Sequence, residues 1–438
     1  MAAGPTQGWH FWIDRGGTFT DIVARRPDGR LETLKLLSEA PDRYPDAAVE
    51  GMRRLLDLDD AAALADAPIV AVRMGTTVAT NALLERRGEP TLLVITRGLG
   101  DVLLIGTQQR PRLFDLDIRL PPPLYDRVVE AEERIAADGE VLQPLNEAAL
   151  AAELRAARAA GLNAVAIALL HGYRHPAHEQ AAARLAREAG FMQVSVSHEV
   201  SPLARIVPRG ATTVADAYLS PVLGRYVAQL RGPLRRQRLL FMQSNGGLAE
   251  ADRFRGRDSV LSGPAGGVVG MAAAGRRAGC ARLIGFDMGG TSTDVCLYEG
   301  EFERSQDNEV AGVRLQAPML LIHTVAAGGG SVLRFADGRF QVGPESAGAQ
   351  PGPACYGLGG PATVTDANLA LGRLQAAAVP AVFGPGGDRP LDHAAAMARL
   401  HELSAAATAA GQSPKRVEAV AAGLLEIAVE RMARAVKH

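Results

Sequence analysis

The chain has 438 residues, 47% apolar and 22% charged, the profile of a globular protein long enough to divide into more than one domain. Its 47 basic and 48 acidic residues give a formal net charge of −1, which excludes a long-range field drawing it to nucleic acid or an anionic membrane and leaves small neutral or anionic ligands. No eighteen-residue stretch is free of polar interruption, Met1 to His10 lacks the regions of a signal peptide, and Cys280, Cys296 and Cys355 form no CxxC pair, so a cytoplasmic protein with reduced thiols is expected.

Phe11-Trp12-Ile13 reads as a short strand interrupted at Asp14 and resuming at Asp21-Ile22-Val23-Ala24. A second turn at Pro27-Asp28-Gly29 leads into the alternating Leu31 to Leu36, which completes a three-stranded antiparallel meander. Val49, Met52, Leu55 and Leu56 stand at helical spacing and predict a helix from Pro45 to Leu58. Ile69 to Met74 and Thr91 to Ile95 read as buried strands, with Thr77 to Arg87 helical between them. After the break at Pro121-Pro122-Pro123, an amphipathic helix from Glu147 to Ala160 stops at Gly161. The strand Ala164 to Leu170 and a helix from Pro176 to Gly190 follow, and this alternation makes the class α/β. The character changes near residue 205 and the pattern restarts at Leu239, so two domains are expected, 1–205 and 206–438. The last segment, with Val420, Leu424, Ile427, Val429, Met432 and Val436, is helical.

One octapeptide appears twice. Asp14-Arg15-Gly16-Gly17-Thr18-Phe19-Thr20-Asp21 is echoed by Asp287-Met288-Gly289-Gly290-Thr291-Ser292-Thr293-Asp294, each preceded and followed by an apolar strand, which places each copy on a hairpin tip. Paired glycines let backbone N–H groups approach an oxyanion without a Cβ in the way, and the threonines add hydroxyl donors. Gly16, Gly17, Thr18, Thr20, Gly289, Gly290, Thr291 and Thr293 are therefore the expected phosphate contacts. Asp14 and Asp287 are the candidates to hold a hydrated Mg²⁺ or to orient the reacting group. The doubled signature resembles the actin, sugar kinase and seventy-kilodalton chaperone superfamily, a ribonuclease H-like architecture in which two domains clamp a nucleotide. Neither GxxxxGK[ST] nor a Rossmann glycine pattern at the first strand-to-helix turn is present.

Longer stretches resemble the hydantoinase A and 5-oxoprolinase family. They are Gly75-Thr76-Thr77-Val78-Ala79-Thr80-Asn81, Thr96-Arg97-Gly98, Gln243-Ser244-Asn245-Gly246-Gly247, Ser262-Gly263-Pro264-Ala265-Gly266-Gly267, His323 to Ser331 and Gly343 to Gly348. Arg15, Gln109-Arg110-Pro111 with Phe114-Asp115-Leu116, and Ile206-Val207-Pro208-Arg209-Gly210 look more like the 5-oxoprolinase branch. The resemblance implies use of ATP to phosphorylate a lactam oxygen, after which water attacks and the ring opens, 5-oxoproline giving glutamate. A lactam is a poor electrophile, and the phosphorylated oxygen is a leaving group, which is why a hydrolase would carry a kinase-type site. Thr76, Thr77, Thr80 and Asn81 would touch the lactam or the transferring phosphate, or else cap a helix. Gly328-Gly329-Gly330 would give a further backbone-lined approach to nucleotide or substrate.

His171, His175 and His178 beside Glu179 read as a solvated strand-to-helix connection rather than a metal site, Cys355 as structural, and Arg231 to Arg238 as a surface turn. In the resembled family a glycine-rich adenosine loop, the rest of the second domain and a separate half come next. The expectation is thus an incomplete second half that binds ATP weakly and needs the remaining half or a hydantoinase B-type partner. Homo-oligomerisation stays open. So do an ATP-dependent hydantoinase A or acetone carboxylase subunit and, from another class, a non-catalytic actin-like nucleotide switch.

Overall fold

The computed structural model describes residues 8–108, 114, 117, 120–325 and 327–437. Gln109, Arg110, Pro111, Asp115, Leu116, Ala326 and the first seven residues lie outside the described residues, as does the side chain of Val436.

The meander forms as expected from β1 (Trp9–Arg15), β2 (Phe19–Arg25) and β3 (Leu31–Leu37). Asp14 does not interrupt its strand: β1 runs on through Arg15, with Phe11 and Ile13 buried and Trp12 and Asp14 on the opposite face, as a period of two requires. Helix α1 (Ala47–Leu55), whose first amides donate to the Asp46 carboxylate, packs on the buried face. β4 (Ile69–Thr76) returns parallel to β1 and leads into α2 (Val78–Leu84). The next stretch comprises β5 (Thr91–Thr96), the short α3 (Val102–Ile105), β6 (Arg127–Ala131), a small ladder of β7 (Arg134–Ile135) and β8 (Val141–Gln143), α4 (Glu147–Ala159), β9 (Ala164–Ala168), α5 (Ala177–Glu188), β10 (Gln193–Val196) and α6 (Ser197–Val200). Its parallel sheet has the order β10-β9-β5-β6. Gly161 follows α4 at φ 93°, the left-handed stop its position suggested.

A 26-residue helix, α7 (Ile206–Arg231), comes next, then β11 (Arg238–Met242) and β12 (Leu248–Glu250). β11 joins the first sheet beside β4, giving the order β12-β11-β4-β1-β2-β3, so this sheet takes strands from both sides of residue 205. One core unites Phe11, Met74 and Phe241 of this sheet with Tyr218 and Leu219 of α7 and Leu93 and Ile95 of the second sheet. Helix α8 (Ser262–Ala278) leads to a three-stranded sheet of β13 (Leu283–Met288), β14 (Thr293–Tyr298) and, after the hairpin β15 (Arg304–Val310) and β16 (Val313–Leu320), β17 (His323–Val325). The hairpin β18 (Ser331–Ala336) and β19 (Arg339–Ser346) packs with α9 (Val364–Ala370), α10 (His393–Ala409) and α11 (Val417–Val436) through Leu333, Val342, Leu400 and Leu424. The chain is thus a mixed α/β protein. Among the described residues no helix is long and apolar enough to cross a membrane.

Arg209 is fully buried near the start of α7. Its guanidinium donates to the carbonyls of Leu169, Leu170, Leu203 and Ala204 and to Ser197 Oγ, which in turn donates to the buried Glu179 carboxylate. Arg209→Ala would strand those carbonyls, while Glu179 keeps Ser197, the Leu169 amide and His198, and is expected to cost about 3–5 kcal/mol of unfolding free energy, read by denaturant titration. The fork geometry cannot be reproduced by a point charge, so Arg209→Lys is expected to recover only part of it.

Candidate active site

The two octapeptides fold alike. In β1–β2 Asp14 stands opposite Asp21 and Arg15 opposite Thr20, and in β13–β14 Asp287 stands opposite Asp294 and Met288 opposite Thr293. Each turn is closed by the same bond, Gly16 N–H to Phe19 O at 3.0 Å and Gly289 N–H to Ser292 O at 2.9 Å. The turns also meet: a Cβ placed on Gly290 would lie 2.6 Å from Thr18 Oγ1. Phe19 anchors the first turn on the far side, edge-on to Tyr356 and Phe383.

Thr20 and Thr293, expected among the phosphate donors, are fully buried with their hydroxyls engaged inside the protein. Thr20 Oγ1 lies 3.0 Å from Ser38 Oγ, which donates to Gly16 O, and Thr293 Oγ1 donates to Ala327 O at 2.6 Å. They brace the turns from behind. Gly328, Gly329 and Gly330 likewise stand apart from the role expected of them. The amides of Gly329 and Gly330 donate to Gly289 O and Gly290 O, and that of Gly328 to Ser331 Oγ, so all three are spent within the protein. Gly17 and Thr291 are exposed on the turns, with Gly16, Gly289 and Gly290 beside them.

A carboxylate row crosses each hairpin. Asp14 faces Asp21, which faces Lys35 on β3, and Lys35 Nζ donates to both Asp21 oxygens at 2.6 Å. Asp287 faces Asp294, which faces Thr324 on β17, and Thr324 Oγ1 donates to Asp294 at 2.6 Å. Asp14 is open to solvent on one side yet crowded by protein on the others. That crowding, followed by the charges of Asp21 and Asp287, raises its pKa against the opposing pull of Lys35. Burial also raises Asp294, with the Thr324 hydrogen bond opposing and Asp287 adding to it. Among the described residues no three His, Cys, Asp or Glu side chains converge as a metal cage. The donor set fits a cation taken through one or two carboxylates, with phosphate and water completing its shell, as Mg²⁺ prefers.

The β4–α2 corner closes this region. Thr77 accepts its position from Arg15, whose carbonyl receives both the Thr77 amide at 3.1 Å and the hydroxyl at 3.2 Å. Asn81 Nδ2 lies 3.4 Å from Thr77 Oγ1 and 3.7 Å from where a Gly17 Cβ would be, so Asn81 stands over the first turn. Thr76 is buried, and its hydroxyl accepts from Val78 N–H at 3.2 Å just ahead of α2, whose N-cap position, Thr77, makes no side-chain cap bond. Sequence reasoning assigned no role to Lys35 or to the start of α8. A Cβ on Gly263 would sit 3.4 Å from Asp14 Oδ1, and one on Gly267 would sit 3.9 Å from Asp287 Oδ2, so α8 runs past both carboxylates. The strand alternation that aligns Lys35 with Asp21 was the available signal for the lysine.

The discounted features have structural partners. His178 Nδ1 lies 2.8 Å from Glu133, and His198 Nδ1 lies 2.6 Å from Glu179, which is buried rather than solvated. Cys355 is buried, and burial pushes its thiol well up. Arg231, Arg236 and Arg238 pair with Asp252, Asp66 and Glu250.

Residues 10–190 match the family model described as hydantoinase/oxoprolinase N-terminal region, and residues 209–438 match hydantoinase/oxoprolinase. The chain is 44% identical over 467 residues to 5-oxoprolinase 1 of Arabidopsis thaliana, covering 98% of this chain and 37% of that protein. It resembles the crystal structure of ATP-dependent caprolactamase from Pseudomonas jessenii with a TM-score of 0.74 and 34% identity, over 98% of this chain and 62% of that one. A nucleotide-free acetone carboxylase structure shares the fold at a TM-score of 0.78 and 24% identity, with the same coverage of 98% and 62%. The chain therefore spans little more than a third of the length of the curated 5-oxoprolinase it matches.

Proposed function

The chain belongs to the hydantoinase/oxoprolinase family, and on that premise we propose that it is the ATP-binding part of an enzyme that hydrolyses 5-oxoproline to glutamate. The observation that carries this reading is the contact of two like turns, Gly290 against Thr18, with the Asp287 charge close enough to add to the raised pKa of Asp14. An actin-like clamp accounts for that pairing, each half presenting one turn to the nucleotide's phosphates.

In this reading the exposed Gly17 and Thr291 would contact the phosphate chain beside the meeting point of Thr18 with Gly290, the amides of Gly16 and Gly289 close the turns, and Thr20, Thr293 and Gly328 to Gly330 serve by holding them. Asp14 and Asp287 would hold Mg²⁺, which when bound offsets charge on the phosphates. Asn81, held by Thr77, would use its remaining amide hydrogen to orient the lactam oxygen toward the γ-phosphorus. That oxygen forms the new O–P bond as the bond to ADP breaks. Water then adds to the activated carbon, the ring C–N bond breaks with the nitrogen taking a proton, and a second water releases phosphate and leaves glutamate. Since the chain matches only part of its relatives, turnover is assigned to the assembly with the remaining half or a hydantoinase B-type partner, in the cytoplasm.

The test is nucleotide binding and ATP hydrolysis, with and without 5-oxoproline, by this chain alone and with the remaining part of the enzyme supplied. Weak Mg²⁺-dependent ATP binding alone and lactam-stimulated hydrolysis in the assembly are expected. Stimulation by hydantoins, by larger lactams such as caprolactam, or by ketones, with none by 5-oxoproline, would move the substrate. Nucleotide-dependent self-assembly without substrate-stimulated hydrolysis would instead mark a switch protein.

A further inference from the structure

The start of α8 is built in an unusual way. A serine at a helix start ordinarily caps its own helix, but α8 has no side-chain cap. The Ser262 hydroxyl reaches across to β4 instead. It donates to Thr76 O at 2.7 Å and receives the Thr76 amide at 3.4 Å, and both residues are fully buried. The preceding residue is held as well: Leu261 N–H donates to Thr80 Oγ1 at 2.9 Å. Leu261 itself sits at φ 59° and ψ 27°, a left-handed conformation that non-glycine residues adopt rarely and that surrounding contacts must hold.

The clasp has a consequence for the carboxylates. It brings Gly263 against Gly75, and the two glycines form a notch around Asp14: a Cβ on Gly75 would meet Asp14 Oδ1 at 3.2 Å, and one on Gly263 would meet it at 3.4 Å. One helical turn later Gly267 approaches Asp287. Further on, Met271 and Gly275 pack against Gly285 and Leu283 of β13, the strand that carries Asp287. Helix α8 is a strut from one carboxylate to the other, and the clasp fixes its near end.

We propose that Ser262 is a positioning residue, which by fastening the first turn of α8 to Thr76 sets the notch around Asp14 and the separation of Asp14 from Asp287. This rests on the reading of that pair as the Mg²⁺-nucleotide site. Ser262 touches neither nucleotide nor metal in it. Its effect runs through the geometry of the two carboxylates, so it should govern the part of nucleotide affinity that depends on the cation.

The experiment titrates the full chain with the ATP analogue AMP-PNP, with and without Mg²⁺, and records thermal melting of each variant. Wild type is expected to bind more tightly with Mg²⁺. Ser262→Ala is expected to lose about tenfold of that Mg²⁺-dependent gain, the scale of a lost supporting contact at a metal site, with metal-free affinity within about twofold. Ser262→Thr, which keeps the hydroxyl, should restore it. A residue that merely stabilised the fold would lower the melting temperature and leave the Mg²⁺ gain of the folded protein intact, and that result overturns the proposal. Should Ser262→Ala not fold, Thr80→Val removes only the acceptor for Leu261 N–H and must diminish the same gain, an unchanged value again being fatal. If wild type binds no AMP-PNP, the nucleotide-site reading itself fails, an outcome distinct from a wild type that binds and a Ser262 variant that matches it.

Discussion

Gly290→Ala is expected to separate the two turns and weaken nucleotide binding by about tenfold or more, with a loss of stability of about 1–3 kcal/mol, the usual cost of overpacking a closed contact. The new Cβ would lie 2.6 Å from Thr18 Oγ1 and 3.5 Å from Thr18 Cβ. Gly290 is absent from the glycines with positive φ, so the added methyl acts through that clash rather than through backbone strain. Thr18→Ala removes the clashing oxygen and leaves a Cβ at ordinary contact distance, so the double variant should regain most of the stability that Gly290→Ala loses, a coupling measured by a double-mutant cycle. Gly17→Ala serves as the contrast, since its Cβ would stop 3.7 Å from Asn81 Nδ2, and it should melt close to wild type. Wild-type affinity in Gly290→Ala would mean that the contact between the turns is incidental to binding.

The hairpins were legible because a strand, a glycine turn and a strand are set by neighbours in sequence, and the doubled spelling repeats the same local instruction. Helix α7 was not. Over residues 209–219 it is buried nearly all round, so its apolar residues there mark no single face, and Pro208, Pro221 and Gly224 lie within it. Nor could the sequence reveal that β11 would pair with β4, because parallel register between distant segments depends on which buried strands find one another. Within the site, strand alternation would have sorted the threonines. Thr20 adjoins Asp21, and a period of two sends them to opposite faces, so if Asp21 faces the carboxylate row then Thr20 must face the interior. Gly328 to Gly330 resisted such reasoning altogether, since the direction of an amide in a glycine run is fixed only by what packs against it. Here that is the second turn itself.

Asp14→Asn is expected to give a protein that melts higher than wild type at neutral pH and has lost activity by a factor on the order of 100 or more in the complete enzyme, because a neutral amide offers the cation a weaker oxygen ligand and no charge to offset its own. The stability half follows from the raised pKa of Asp14, caused first by crowding and then by Asp21 and Asp287. A carboxylate whose folded pKa lies above its unfolded one binds its proton more tightly when folded. As pH rises from about 4, near the ordinary value, through the raised folded value, the unfolded state therefore gains relative to the folded, and above that window the penalty is fully present. Asparagine carries no such penalty. The advantage of Asp14→Asn should thus be small at low pH, where wild-type Asp14 is itself neutral, and should grow as pH rises through the window. Paired melting curves across pH read this directly. A charge kept at the expense of stability is the mark of a group retained for chemistry rather than for the fold. If Asp14→Asn instead melts lower at every pH, Asp14 is a structural anchor, and the carboxylate row of the first hairpin holds the turn rather than the cation.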